Sequence, residues 1–298
     1  MSTVVAGAQG SAIGKKASKA ETHALITDVV TVDANSVGSR WTVQDLDRLA
    51  SLIALIAMGQ ALHAAKIIED LSPTSSAITA ASLTKAAKQQ LQINGTKKSQ
   101  RDASRWRRDG FLFEAISWIA ARQGGTRRSY MKDPHIKSTT QGIDGLMIEL
   151  KASAPEVFRA TIFEDKCSED PRAIFRGDVM KAFADHHKNL RGPELVSGAA
   201  ALIQKSGIDG TAAVQAAARV LDLAYRRYRA SLAVTTDHDS EEGRIALFKD
   251  YDKLTGINAE QRIGATFIVD GELRDWFDSL ANHAMAALDK MEKDNGGV

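Results

Sequence analysis

The sequence predicts an α/β protein: a small mixed sheet flanked by helices, with additional helices outside that core. Three observations carry this prediction. The 298 residues are 44 % hydrophobic and 26 % charged, as expected of a chain that buries a core. Apolar residues recur at helical spacing through the first part of the chain, whereas β-branched runs alternate with helical stretches later. Mid-chain, two β-rich segments flank a short turn, the pattern of a hairpin.

The elements follow in order. Residues 1 to about 20 are rich in Gly, Ala, Ser and Lys and lack periodicity, so they read as a flexible tail. The domain division carries that tail to residue 40, places a helical module at 41–100, and assigns 101–298 to the main domain, with a helical insertion at about 190–228. Thr42 is the expected N-cap of a helix running to Leu71, with Leu46, Leu49, Leu52, Ile53, Ile56 and Leu62 at helical spacing. Ala80 to Gln92 is a second helix. Asp109-Gly110 opens a third, Phe111 to Gln123, which ends at Gly124-Gly125.

Gly142 to Leu150 and Val157 to Lys166 are the hairpin strands, joined by the small residues and proline of 151–156. Helices are expected at Arg172–Asn189, Glu194–Lys205 and Thr211–Arg227. A strand at Ala230–Thr236, a helix at Glu241–Leu254, a strand at Arg262–Val269 and a helix at Leu273–Lys293 complete the chain.

Composition excludes several classes. One cysteine, Cys167, permits no internal disulfide, which fits a reducing cytoplasm. No apolar run approaches the roughly 20 residues that span a bilayer, and no secretory signal opens the chain. A GxxxxGK[ST] phosphate loop is absent, so ATP or GTP hydrolysis by this chain is not expected. The net charge of +2 hides an asymmetry. Residues 97–132 hold ten Lys/Arg against three Asp/Glu, and 237–298 hold seven against fourteen. A basic segment can follow a phosphate backbone.

The hairpin carries the chemistry. Asp144 and Glu164 lie symmetrically about Ala154, so an antiparallel pairing sets them opposite or nearly opposite each other. Two carboxylates so close repel unless a positive charge lies between them, and hard oxygen ligands suit Mg²⁺ or Mn²⁺. Glu164 and Lys166 share one strand face, and Asp165 points the other way while its carbonyl stays near the site. A second E-x-K, Glu149-Leu150-Lys151, lies at odd spacing from Asp144. In the same register Glu149 opposes Arg159, which makes it a cross-strand ion pair.

These residues resemble the PD-(D/E)XK, or restriction-endonuclease-like, nuclease superfamily. Its core places an acidic residue on a leading helix, an aspartate on a strand, and (D/E)-x-K on the paired strand. Glu114 in FLFEAISWIAA, Asp144 in GIDGL, and Glu164 and Lys166 in IFEDK match that pattern. The resemblance covers about 105–190. It implies a restriction-endonuclease-like core and DNA hydrolysis, with Mg²⁺ or Mn²⁺ held by Glu114, Asp144, Glu164 and the Asp165 carbonyl. Lys166 would assist the attacking water. The helix after the lysine, AIFRGDVMKAFADHHK, lacks the glutamine and tyrosine of the RecB-like branch.

Stand-alone nucleases of this type often serve bacterial restriction or anti-phage defence with a helicase or sensor partner. A homodimer would supply two sites for duplex cutting. The alternative is a non-catalytic DNA-binding or interaction subunit that keeps the fold.

Arg105, Arg107 and Arg108 flank Trp106, and Arg127 and Arg128 precede Tyr130, so these arginines are the expected nucleic-acid contacts. His186-His187 lacks a second ligand pair at metal spacing. An approach of either ring to a phosphate is the remaining functional option. Cys167 has no histidine–acid pattern around it that would make it a nucleophile.

Overall fold

A computed structural model describes residues 22–72, 80–136, 143–152, 154 and 156–294. It is an α/β fold with one seven-stranded mixed sheet flanked by helices. The expected tail at 1–20, the first residue of the Gly142 strand and parts of the 151–156 turn lie outside the described residues.

The chain opens with β1 (Leu25–Asp33) and β2 (Ser36–Val43), an antiparallel pair where the division placed the rest of a tail. Asp33 makes the turn, since its Oδ1 accepts from the Asn35 N–H at 2.8 Å and the Ser36 hydroxyl at 2.7 Å. Thr42 therefore lies in a strand. Asp45 caps the first helix instead, accepting from the Arg48 N–H at 2.9 Å. The expected 42–71 helix is two helices, α1 (Leu46–Ala57) and α2 (Ala61–Glu69). Gly59 separates them at φ +77°, a left-handed conformation that glycine adopts without a Cβ clash.

After α3 (Ala81–Leu91) comes α4 (Lys98–Gln123), twice as long as expected. Asp109-Gly110 does not open it. The Asp109 carboxylate is instead buried inside the helical run, paired with Arg108 and Arg274.

The strands β3 (Ser129–Met131), β4 (Gly145–Leu150) and β5 (Val157–Cys167) are antiparallel neighbours. A helical run follows: α5 (Pro171–Ile174), a π turn over Phe175–Val179, and α6 (Met180–His187). The insertion contributes α7 (Gly192–Gln204) and α8 (Gly210–Ala217). It ends earlier than expected, because β6 (Arg226–Thr235) takes Arg226 and Arg227. The next helix, α9 (Glu241–Leu247), stops short of Leu254, with Asp250 left-handed at φ 73°. β7 (Arg262–Val269) and α10 (Leu273–Asp294) complete the fold.

The strand order is β1-β2-β7-β6-β5-β4-β3, with β2, β7, β6 and β5 parallel to their neighbours in that run. Side chains alternate between two cores. Phe163, Ala233, Ala265 and Phe267 pack with α1–α4 and α10. Ala160, Ile162, Ala230 and Leu232 pack with the π turn, α6–α8 and α9. Each fully buried Phe or Leu on these faces stabilises by about 1.5–3 kcal/mol. The helices of 41–100 thus share one hydrophobic core with α4, α10 and the sheet. This two-faced arrangement decides where each charged residue of β5 points.

Candidate active site

The hairpin register is the one the symmetry about Ala154 predicts. Gly145 faces Phe163, and Leu146 faces Ile162. One step further, Asp144 lies at the mouth of β4 beside Glu164 and Lys166. The Lys166 ammonium bridges both acids, at 2.5 Å from Asp144 Oδ2 and 2.9 Å from Glu164 Oε2. Both oxygens touch one nitrogen, so they lie well inside the roughly 8 Å limit for ligation of one cation. The Asp165 N–H donates to Asp144 Oδ2 at 3.4 Å. The N–H and C=O of a strand residue point to one side, so the Asp165 carbonyl faces Asp144 as well.

Burial sharpens the charge problem. Glu164 is 4 % exposed, and Asp144 and Lys166 are half-buried. Burial raises the Glu164 pKa to about 8; Lys166 opposes this rise and Asp144 adds to it. Burial alone would lower the Lys166 pKa, but Glu164 and Asp144 outweigh it and hold the ammonium above its usual range. The two shifts agree physically: one cation serves two carboxylates, and the buried acid is left under-compensated.

Asp165 lies on the opposite face. Its Oδ1 accepts from the Ser117 hydroxyl at 2.7 Å, and Arg229 lies at 4.0 Å. Burial pushes its pKa up to about 6, against Arg229 and the hydroxyls of Ser117 and Ser231. Arg229 in turn stacks on Phe163, at 3.8 Å, and on Trp41, at 5.0 Å. Ser117 belongs to α4, so α4 packs on the Asp165 face of the sheet.

That placement corrects the expectation for Glu114. It is carried by α4, and its carboxylate is taken up by His135 and not by Lys166. Its Oε1 accepts from the His135 backbone N–H at 2.8 Å and lies 3.0 Å from the ring Nδ1. Among the described residues no group of three or more His, Cys, Asp or Glu is arranged to hold a metal ion. The structure thus brings together Asp144, Glu164 and Lys166, and pairs Glu114 with His135.

Two further residues join the site. Lys132 Nζ lies 2.9 Å from His135 Nε2 and donates to the Ile143 carbonyl at 2.8 Å. Burial lowers the Lys132 pKa, with Glu114, Glu194 and Asp144 opposing. Sequence spacing gave no signal for either residue, because both sit in an irregular segment.

The expected decoy behaves as one: Glu149 faces Arg159 across the hairpin, at 3.2 Å. The arginines divide. Arg108 is buried and paired with Asp109 and Asp278, so it is not free for DNA. Arg105 pairs with Asp278 at 3.4 Å. Arg107, Arg127 and Arg128 are exposed, and Arg128 donates to the Lys151 carbonyl. Arg107 lies near the middle of α4 and Arg127 beyond its C-terminal end, and the helix from Arg107 to Gln123 spans on the order of 24 Å at about 1.5 Å per residue. They cannot form the single cluster their spacing suggested.

The tandem histidines are structural. His186 is buried, and His187 bonds the Thr255 carbonyl at 2.8 Å. Burial pushes the Cys167 thiol far up, which suppresses the thiolate that a nucleophile needs. No helix among the described residues is long and apolar enough to cross a membrane. Comparison with protein-family models, curated proteins and solved structures finds no match to this chain.

Proposed function

We propose that the protein is a Mg²⁺- or Mn²⁺-dependent nuclease acting on DNA, with Asp144, Glu164 and Lys166 as its catalytic group. One observation carries the reading: two convergent carboxylates share a single ammonium, and the buried one is under-compensated. A further cation would balance that charge, and the donors available are hard oxygens. The order of elements supports it too. A leading helix, an antiparallel strand pair and a following helix occur as the resemblance requires.

Asp144, Glu164 and the Asp165 carbonyl would hold the ion. When bound, it supplies Lewis-acid polarisation of a phosphoryl oxygen and a more acidic water. Lys166 orients that water and stabilises developing negative charge on the phosphate. Asp144 and Glu164 hold Lys166 in its charged form throughout. The exposed Arg107, Arg127 and Arg128 offer phosphate contacts to a DNA strand.

A second reading has its own observation. Lys166 already bridges both acids, and Glu114 does not complete a three-carboxylate set. A non-catalytic DNA-binding subunit would show the same triad. Cleavage of plasmid and linear DNA with Mg²⁺ or Mn²⁺ separates the two. The wild type is expected to cut, and Asp144→Ala and Lys166→Ala to fail. Equal cutting by all three overturns the site, and no cutting by any favours the binding role.

A further inference from the structure

We infer that Glu114, His135 and Lys132 form a positioning relay that, together with Glu194, clamps the Ile143–Asp144 segment and so aims the Asp144 carboxylate. This rests on the proposed nuclease reading for its catalytic consequence, but the clamp itself stands on geometry.

The relay is continuous. Glu114 Oε1 accepts the His135 backbone N–H at 2.8 Å and faces ring Nδ1 at 3.0 Å. The other ring nitrogen, Nε2, faces the Lys132 ammonium at 2.9 Å. An ammonium has only donors, so Nε2 must be the acceptor and the ring proton must lie on Nδ1, toward Glu114. The tautomer is therefore fixed from both sides. Lys132 spends another proton on the Ile143 carbonyl at 2.8 Å. Glu194 on the first turn of α7 accepts the Ile143 N–H at 3.0 Å. Arg191 holds Glu194 in turn, with two contacts at 2.8 Å.

Ile143 is thus gripped through both its polar backbone groups, immediately before Asp144. Asp144 precedes the first residue of β4, so the strand ladder alone does not fix it. The relay runs from Glu114 on α4 through His135 and Lys132 to the residue before Asp144. This gives Glu114 a function that needs no direct contact with an ion. Outer groups that orient a ligand of this kind typically cost about 10–100-fold in metal affinity or activity when removed.

The test uses the full chain and three readouts: amide exchange at Ile143, Mn²⁺ affinity, and cleavage. Lys132→Met and His135→Phe are expected to speed exchange at Ile143 and weaken Mn²⁺ binding by about 10–100-fold. Lys132→Arg is expected to restore part of both. Glu114→Gln separates positioning from ligation, since the amide oxygen still accepts from His135. It is expected to lose less than about tenfold, below the range for removing an orienting group outright.

Wild-type exchange and wild-type Mn²⁺ affinity in Lys132→Met would overturn the relay. Complete loss of Mn²⁺ binding in Glu114→Gln, with Ile143 exchange unchanged, would make Glu114 a ligand and overturn it too. A wild type that neither binds Mn²⁺ nor cuts DNA refutes the proposed function alone, and Ile143 exchange in the variants still decides the clamp. Should Lys132→Met fail to fold, the His135→Phe arm decides by the same criteria.

Discussion

The two faces of β5 carry charge in opposite ways. On one, Glu164 and Lys166 meet Asp144, so two acids share one base at a half-open strand end. On the other, Asp165 and Arg229 are both buried, one acid to one base, with Ser117 and two aromatic rings closing around them. The buried side is balanced, and its groups have neighbours that use their charge. On the open side Glu164 has no cation of its own, only a share of Lys166, and burial keeps its proton on. Adjacent residues of one strand thus separate a one-to-one buried pair from two acids that share a base, and the sheet's alternation is the cause.

The largest effect separates the faces by activity. Lys166→Ala removes the cation that bridges Asp144 and Glu164, and DNA cleavage under single-turnover conditions should fall by about 10²–10⁴-fold. Arg229→Met should act on stability instead. It strands a buried Asp165, and urea unfolding should show a loss of about 3–5 kcal/mol. Comparable loss of stability in both variants with no difference in cleavage would erase the distinction drawn between the faces.

The third effect is one of pH. Glu164 holds its proton to about pH 8 in the folded chain, against 4.5 for an ordinary glutamate. The folded state therefore binds more protons than the unfolded state between those values. Stability from this group is complete below about 4.5 and is lost as pH rises toward 8. Each pH unit in that window removes up to about 1.4 kcal/mol. Glu164→Gln should flatten this dependence, so the variant gains stability over the wild type at pH 8 while losing cleavage. A bound divalent ion would reverse the trend in the wild type alone. Thermal melts at several pH values, with and without Mn²⁺, measure this.

The smallest effect concerns the other E-x-K. Glu149→Gln breaks only a cross-strand pair with Arg159, so stability should change by about 0.2–1 kcal/mol and cleavage should not change. A large loss of cleavage would shift the site to Glu149 and Lys151.

Much of the site could be read from spacing alone. The separation of Asp144 from Glu164 set their register, and the two-residue step from Glu164 to Lys166 set their common face. Both follow from strand parity, which short segments obey closely. Glu114 was not readable in the same way. Its place relative to Asp144 and Glu164 depends on which side of the sheet α4 packs, and that is a tertiary choice. The Ser117–Asp165 bond reveals it.

The hairpin at the start was legible and still missed. Leu25 to Asp33 is rich in β-branched residues, and Asp33-Ala-Asn-Ser carries a turn, but the polar stretch before it drew the whole region into a tail. Asp109-Gly110 misled in the reverse direction. A helix-opening dipeptide was overridden by buried ion pairs to Arg108 and Arg274. Lys132 and His135 had no periodic pattern to mark them. Only the folded chain joins them to Glu114 and Ile143.

The proposed function requires that a divalent metal replace the proton on Glu164 and bind beside Asp144. Calorimetric titration of Mn²⁺ into the wild type and into Asp144→Asn tests it most directly. The account predicts one saturable site in the wild type that is lost or weakened by tenfold or more in the variant, as expected for removal of a ligand charge (about 1.4 kcal/mol per tenfold). A wild type without a binding isotherm, or two indistinguishable isotherms, would contradict it.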